Sequence, residues 1–395
     1  MDDTIMTIEE LRARRGVKWS VFGPDHLPSF VADMDFRTAP AVLDTLERLV
    51  RESDFGYAYR DGQPLGNAVA RGFADRMAER FGWSVDPARV LACTDLVQGV
   101  FDTVQAYSER GDDVMVQGPT YDPFREGIED SGRVMVVNHM VLREGRWCLD
   151  LDDLRAKAKR SPLLMLCHPQ NPTGRAFVRE ELQAVAQIAI EEDLVVVSDE
   201  IWADFMLDER AHIPFATLSP EIAARTVTLY SAGKSFSLAG LRCAVIHFGS
   251  EALQQQFHDV FPPRMLGGMN VAGVEATLAA WRDGAAWFEG VLSTLRSNRG
   301  EVEAFVDRHG ELLTAAWPES TYLYWIDCSG LGLESGSPAD FFKEGGVILS
   351  AGSDFGPAYA DYVRLNFATS PEILGQILER MSAAIHALPT AVTRG

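Results

Sequence analysis

The chain has 395 residues, 47% hydrophobic and 24% charged, which are the proportions of a folded protein with room for two or three domains. Its 57 acidic residues against 36 basic ones leave a formal charge of −21, which disfavours nucleic acid and anionic lipid as partners. The amino terminus lacks the pattern of a secretory signal, no run of about 18 apolar residues occurs, and the five scattered cysteines form no CxxC pair, so a reducing cytoplasm is expected, without a disulfide framework or zinc site.

Taken in chain order, the first 45 residues are expected to pack back on the carboxyl-terminal part. Between about residues 85 and 250, short apolar runs recur with helical stretches between them. They are RVLACT (89–94), DDVMVQ (112–117), VMVVNHM (134–140), PLLMLCH (162–168), LVVVSDE (194–200), TVTLYSA (226–232) and CAVIHFG (243–249). Nearly continuous Val, Ile and Leu is the signature of strands buried on both faces, and helical crossovers make the sheet mostly parallel. Residues 46–275 therefore read as a large α/β domain. Residues 276–395 read as a smaller α+β domain, with amphipathic helices over 274–310 and then short strands in TYLYWIDC (321–328), GVILSAG (346–352) and YVRLNFA (362–368). The turn-rich stretch SGLGLESGSP (329–338) reads as a loop rather than a linker.

Ligands of an open parallel sheet sit beyond the carboxyl ends of its strands. Three loops there form a set: PQNPTG with Asn171, the pair Asp199 and Glu200, and Gly233 with Lys234. Of the five lysines, Lys18, Lys157, Lys159 and Lys343 read as solvated, whereas Lys234 follows a buried strand amid small residues. It is either a snorkelling surface lysine or a desolvated amine suited to Schiff-base chemistry. Asp199 is either a helix cap or the partner of a pyridine nitrogen, and Asn171 either a turn residue or a donor to the phenolic oxygen of the same ring.

NPTG, SDE and a lysine after a Ser-containing strand end, in that order, resemble the fold-type I pyridoxal-phosphate enzymes, the aspartate aminotransferase superfamily. Within it the chain is similar to the MalY/PatB group of cysteine-conjugate C–S lyases over nearly its whole length, through FVADMDFRTAP, DFGYAYRDG, PTYDPF, CHPQNPTG, SDEIWAD, HIPF, GKSFSLAGL, STYLYWID and VRLNFA. The resemblance implies that Lys234 forms the Schiff base with pyridoxal 5'-phosphate, Asp199 pairs with the pyridine nitrogen, Asn171 meets the phenolic oxygen and Tyr121 stacks on the ring. For the phosphate it points to Ser231, Arg242 and the helix-start amides near Asp95 and Leu96, with the Asp95 side chain a helix cap. Tyr57 would reach the phosphate of a neighbouring subunit, which implies a homodimer with shared sites. Arg364 would grip the substrate carboxylate, with Asp35 and Trp202 also beside the substrate.

The implied reaction is α,β-elimination from a cysteine S-conjugate, giving thiol, pyruvate and ammonia. The same constellation supports an aminotransferase or a deaminase that loses the carboxylate, and a cofactor-bound regulator without turnover is a third reading. Three positions depart from the group's pattern: Trp202 stands where histidine is common, Gly233 where serine is and Ser237 where asparagine is. Arg242 is a phosphate residue of the aminotransferases that these lyases often lack. The pocket is therefore expected to be altered.

Overall fold

The computed structural model describes residues 4–388; the first three residues and residues 389–395, the ends of the terminal segments delimited above, lie outside the described residues. Seven strands form the central sheet: β1 (Val90–Cys93), β2 (Asp113–Gly118), β3 (Val134–His139), β4 (Leu163–Cys167), β5 (Val195–Asp199), β6 (Thr226–Tyr230) and β7 (Ala244–Phe248). Each coincides with one of the seven apolar runs. The order across the sheet is β1-β7-β6-β5-β4-β2-β3. The four contacts from β6 through β3 are parallel, and β7 is antiparallel to both of its neighbours.

Side chains alternate between the two faces of each strand, and here both faces are apolar. Leu163, Met165 and Cys167 face one helical layer with Val100, Val104 and Phe257, while Leu164 and Leu166 face the other with Leu182, Val185 and Ile188. That double burial is why the runs lack polar alternation.

The helical stretch after residue 270 is two helices, Val271–Asp283 and Ala285–Arg308, broken at Gly284. A Cβ there would lie 2.5 Å from the Phe236 ring, so the break admits no larger residue. The first of these helices packs on Pro40–Glu52 and Leu65–Phe81. A second sheet takes Thr314–Ala315, Leu323–Asp327, Tyr362–Asn366 and Ser350–Ala351, in that order. The run GVILSAG is shared: Ser350–Ala351 joins this sheet, while Val347–Ile348 pairs in parallel with Leu27–Pro28 near the amino terminus. Among the described residues no helix is long and apolar enough to cross a membrane.

Candidate active site

A cavity of about 310 Å³ lies beyond the carboxyl ends of β4, β5 and β6, and Asn171, Asp199 and Lys234 all line it. The NPTG loop is held by its own neighbours. The Gln170 amide donates to the Pro119 carbonyl at 2.7 Å and its oxygen accepts the Thr173 amide, while the Gly174 carbonyl accepts the amides of Glu319 and Ser320. Gly174 has φ +69°, and a Cβ would sit 2.5 Å from Pro318, so the turn requires glycine.

Lys234 lies on the short helix Ala232–Ser235 that follows β6. Its ammonium donates to the Ala32 carbonyl at 2.9 Å and stands 5.7 Å from the centre of the Trp202 ring. Burial pulls its pKa down to about 8, against the upward pull of the Asp33 and Asp199 carboxylates. The neutral, nucleophilic amine is thus within reach at physiological pH. Burial pushes the Asp199 carboxyl up to about 7, with the Ile201 amide opposing at 3.1 Å from Oδ1 and Glu200 adding to the rise. Its Oδ2 has no protein donor among the described residues.

Arg364 donates from Nη1 to Asn171 Oδ1 at 2.9 Å and from Nη2 to the Phe30 carbonyl at 2.9 Å and Ser350 Oγ at 3.1 Å. Among the described residues its Nε has no hydrogen-bond partner and the guanidinium forms no ion pair. Burial lowers its pKa to about 10. A buried guanidinium held only by neutral acceptors is poised for an anion.

Asp95, Leu96, Tyr121, Trp202, Ser231 and Arg242 also line the cavity. Tyr121 stands at the start of the helix Asp122–Glu129, and Trp202 packs edge-on against Tyr322 with ring centres 4.8 Å apart. Asp95 caps the helix Leu96–Tyr107 through the Gln98 amide at 2.8 Å, as expected of its side chain, and its other oxygen pairs with Arg242. The Leu96 and Val97 amides at that helix start have no intrahelical acceptor. Arg242 has φ +54°, and its side chain is 61% exposed, so its pair with Asp95 is open to competition by a stronger anion.

Three expectations need correction. Ser231 does not present its hydroxyl proton to the cavity, because Oγ donates to the Cys243 carbonyl at 2.7 Å and accepts the Gly233 amide. Asp35 is not beside the substrate site. It is buried against Lys18 at 2.8 Å and Trp19 Nε1 at 2.7 Å, and it does not line the cavity. Lys18, read as solvated, is therefore a buried ion-pair partner that also donates to the Asp33 carbonyl. Tyr57, for its part, is 95% exposed and lies outside the cavity of its own chain, a placement that leaves a role at a neighbouring subunit's site open.

Sequence reasoning missed the part played by residues 30–33. The carbonyls of Phe30 and Ala32 accept from Arg364 and Lys234, and Ala32 also accepts the Tyr322 hydroxyl at 3.0 Å. A backbone acceptor leaves no mark on residue type. Asp33 was findable, since ADMD holds two acids and only its partner Asp35 was singled out.

The donors fit pyridoxal phosphate end to end. An amine for its aldehyde, a carboxylate oxygen for its ring nitrogen, Asn171 near its phenolic oxygen, and helix-start amides with an exchangeable arginine for its phosphate all face one cavity. No cluster of metal-ligating side chains occurs among the described residues.

Comparison with known proteins agrees with this geometry. Residues 33–381 match the model of the family described as aminotransferase class I and II. The chain is 34% identical over 385 residues to cystathionine beta-lyase PatB of Bacillus subtilis (strain 168), covering 95% of this chain and 98% of that protein. Superposition on the crystal structure of OvoB gives a TM-score of 0.91 at 35% identity, covering 98% of this chain and 99% of the other. The PLP-bound C–S lyase from Staphylococcus hominis gives 0.89 at 27% identity, covering 98% of each. The fold and site define a lysine-centred enzyme on an α/β scaffold. The chain belongs to the aminotransferase class I and II family.

Proposed function

We propose that this chain is a pyridoxal-phosphate-dependent carbon–sulfur β-lyase that cleaves a cysteine S-conjugate to thiol, pyruvate and ammonia. The observation that carries the reading is the array in one cavity of the Lys234 amine, the Asp199 carboxylate and Asn171, with Arg364 on Asn171. Similarity to PatB and to the staphylococcal C–S lyase supports elimination as its outcome.

Pyridoxal phosphate, when bound, supplies an electron-withdrawing ring that stabilises negative charge at the substrate's α-carbon. The protein's part is to aim and to move protons. Arg364 takes the α-carboxylate in its fork, exchanging neutral acceptors for a charged one. Asp199 keeps a proton on the ring nitrogen, and Tyr121 offers a flat face to the ring. Lys234 carries the cofactor and then takes the α-proton at Nζ, and the thiolate departs from the β-carbon. Water completes the balance, turning the remaining three-carbon fragment into pyruvate and ammonia. Trp202 presents apolar bulk in place of a titratable ring and narrows which S-substituent is accepted.

The amine's depressed pKa is testable. Reconstitution of cofactor-free protein is expected to speed up as pH rises through about 8 and then level off, well below the value of about 10.4 for a free lysine. A rate that climbs on to pH 10 would place the reacting amine elsewhere.

The function itself is tested by incubating the loaded protein with cystathionine and a panel of S-substituted cysteines. Equal thiol, pyruvate and ammonia are expected. Pyridoxamine phosphate or carbon dioxide without thiol would favour the second reading, an aminotransferase or decarboxylating deaminase, to which Arg242 lends support as a phosphate residue.

The reading extends to assembly and place. Phe55 (61% exposed), Tyr57 (95%), Tyr59 (56%) and Met265 (70%) are large apolar groups open to solvent, and a second copy covering them would deliver Tyr57 to its neighbour's phosphate site. Sedimentation as a monomer of full activity would exclude this dimer. Five free cysteines suit a reducing cytoplasm.

A further inference from the structure

Directly behind Asp199 lies a second, fully buried carboxylate that the reaction leaves unused. Glu200 Oε1 accepts the Ser198 hydroxyl at 2.9 Å and the Phe215 amide at 2.9 Å, and Oε2 meets His212 Nε2 at 2.8 Å. Both residues are at least nine-tenths buried. His212 Nδ1 has no hydrogen-bond partner among the described residues, and the ring packs against His168 with centres 4.7 Å apart and edge-on to Phe81 at 5.4 Å. His212 and His168 border a separate cavity of about 240 Å³.

Two adjacent carboxylates in a dry interior repel each other unless something fixes the charge of one of them. Glu200 is fixed by three hydrogen bonds, and Asp199 by one. Every other charged or titratable neighbour of Asp199 comes from a different element: Cys167 from the end of β4, Tyr121 from the loop after β2, and Lys234 from the helix after β6. On the far side, Arg175 and Arg210 act on His168, which burial keeps neutral. Glu200 is thus the negative charge that stands next to Asp199 whether or not Lys234 carries a proton.

We propose that Glu200, locked in place by His212, is a positioning residue whose fixed negative charge acts through Asp199 to hold the proton on the cofactor's ring nitrogen. It touches neither substrate nor cofactor. His212 offsets part of that charge, so the two residues push in opposite directions. The inference rests on the cofactor reading above, not on the identity of the substrate.

The test is nitrogen-15 NMR of protein loaded with ring-labelled pyridoxal phosphate, followed against pH, with cofactor loading read separately from its absorbance. Glu200→Gln keeps the shape and the Oε1 acceptor, and the His212 tautomer can turn to accept its amide. It is expected to lower the pH at which the ring nitrogen loses its proton by about one to two units. His212→Leu removes the donor to Oε2, leaves Glu200 its other two hydrogen bonds and is expected to raise that pH. A midpoint unchanged or raised in Glu200→Gln, or lowered in both variants, would overturn the proposal. Failure of the unsubstituted protein to load would overturn the cofactor reading and this one with it, whereas normal loading with an unmoved midpoint overturns this one alone.

Discussion

Lys234→Ala is expected to lower turnover by about four orders of magnitude, because one amine both anchors the cofactor and moves the α-proton. Borohydride should no longer fix the cofactor to the chain, and a product that remained reducible would move the anchoring role to another lysine. The same substitution has a second, opposite signature. The folded-state pKa of Lys234 is depressed to about 8 from 10.5, so between those values the unfolded chain binds more protons and stability rises with pH. Below pH 8 the full cost of the buried charge is present. Removing the amine is therefore expected to raise the melting temperature of the cofactor-free protein at pH 7 and to change it little above pH 10.5. A melting temperature that fell at pH 7 would mean that the Ala32 contact outweighs the desolvation it accompanies.

Arg364→Ala is expected to reduce kcat/KM for an amino-acid substrate by about a hundred- to a thousandfold, the size of losing two charge-assisted hydrogen bonds. Arg364→Lys should recover little of it, because an ammonium cannot span both carboxylate oxygens while also reaching Asn171. The control is a substrate amine without the carboxylate. Its already poor rate should be nearly insensitive to the substitution, and an equal loss for both substrates would show that Arg364 acts by holding Asn171, Phe30 and Ser350 in place.

The seven central strands were legible because both faces of the sheet are apolar, so the runs at 162–168 and 194–200 stand out with no periodicity to decode. Asn171, Asp199 and Lys234 were legible because each follows such a run. What escaped has a physical pattern. Lys18 and Asp35 are 17 positions apart, and one reads as solvated and the other as a substrate residue until the amino-terminal segment folds back and buries them together. Ser231 reads as a hydroxyl donor beside the lysine, and only the path of the chain into β7 shows that the Cys243 carbonyl accepts its hydrogen bond. Tyr322 and residues 30–33 lie in segments that carry the resemblance, yet no residue type there announces a role, since the contribution of the carbonyls is position alone.

The strand order has a consequence for synthesis. Val90–Cys93 is the first strand of the sheet to be made, yet its sole neighbour is Ala244–Phe248, the last. At the usual pace of translation, on the order of 5 to 20 residues per second, its apolar edge waits roughly eight to thirty seconds for a partner. Through that interval the nascent chain carries an unpaired, aggregation-prone edge, and holdase chaperones are the natural cover for it.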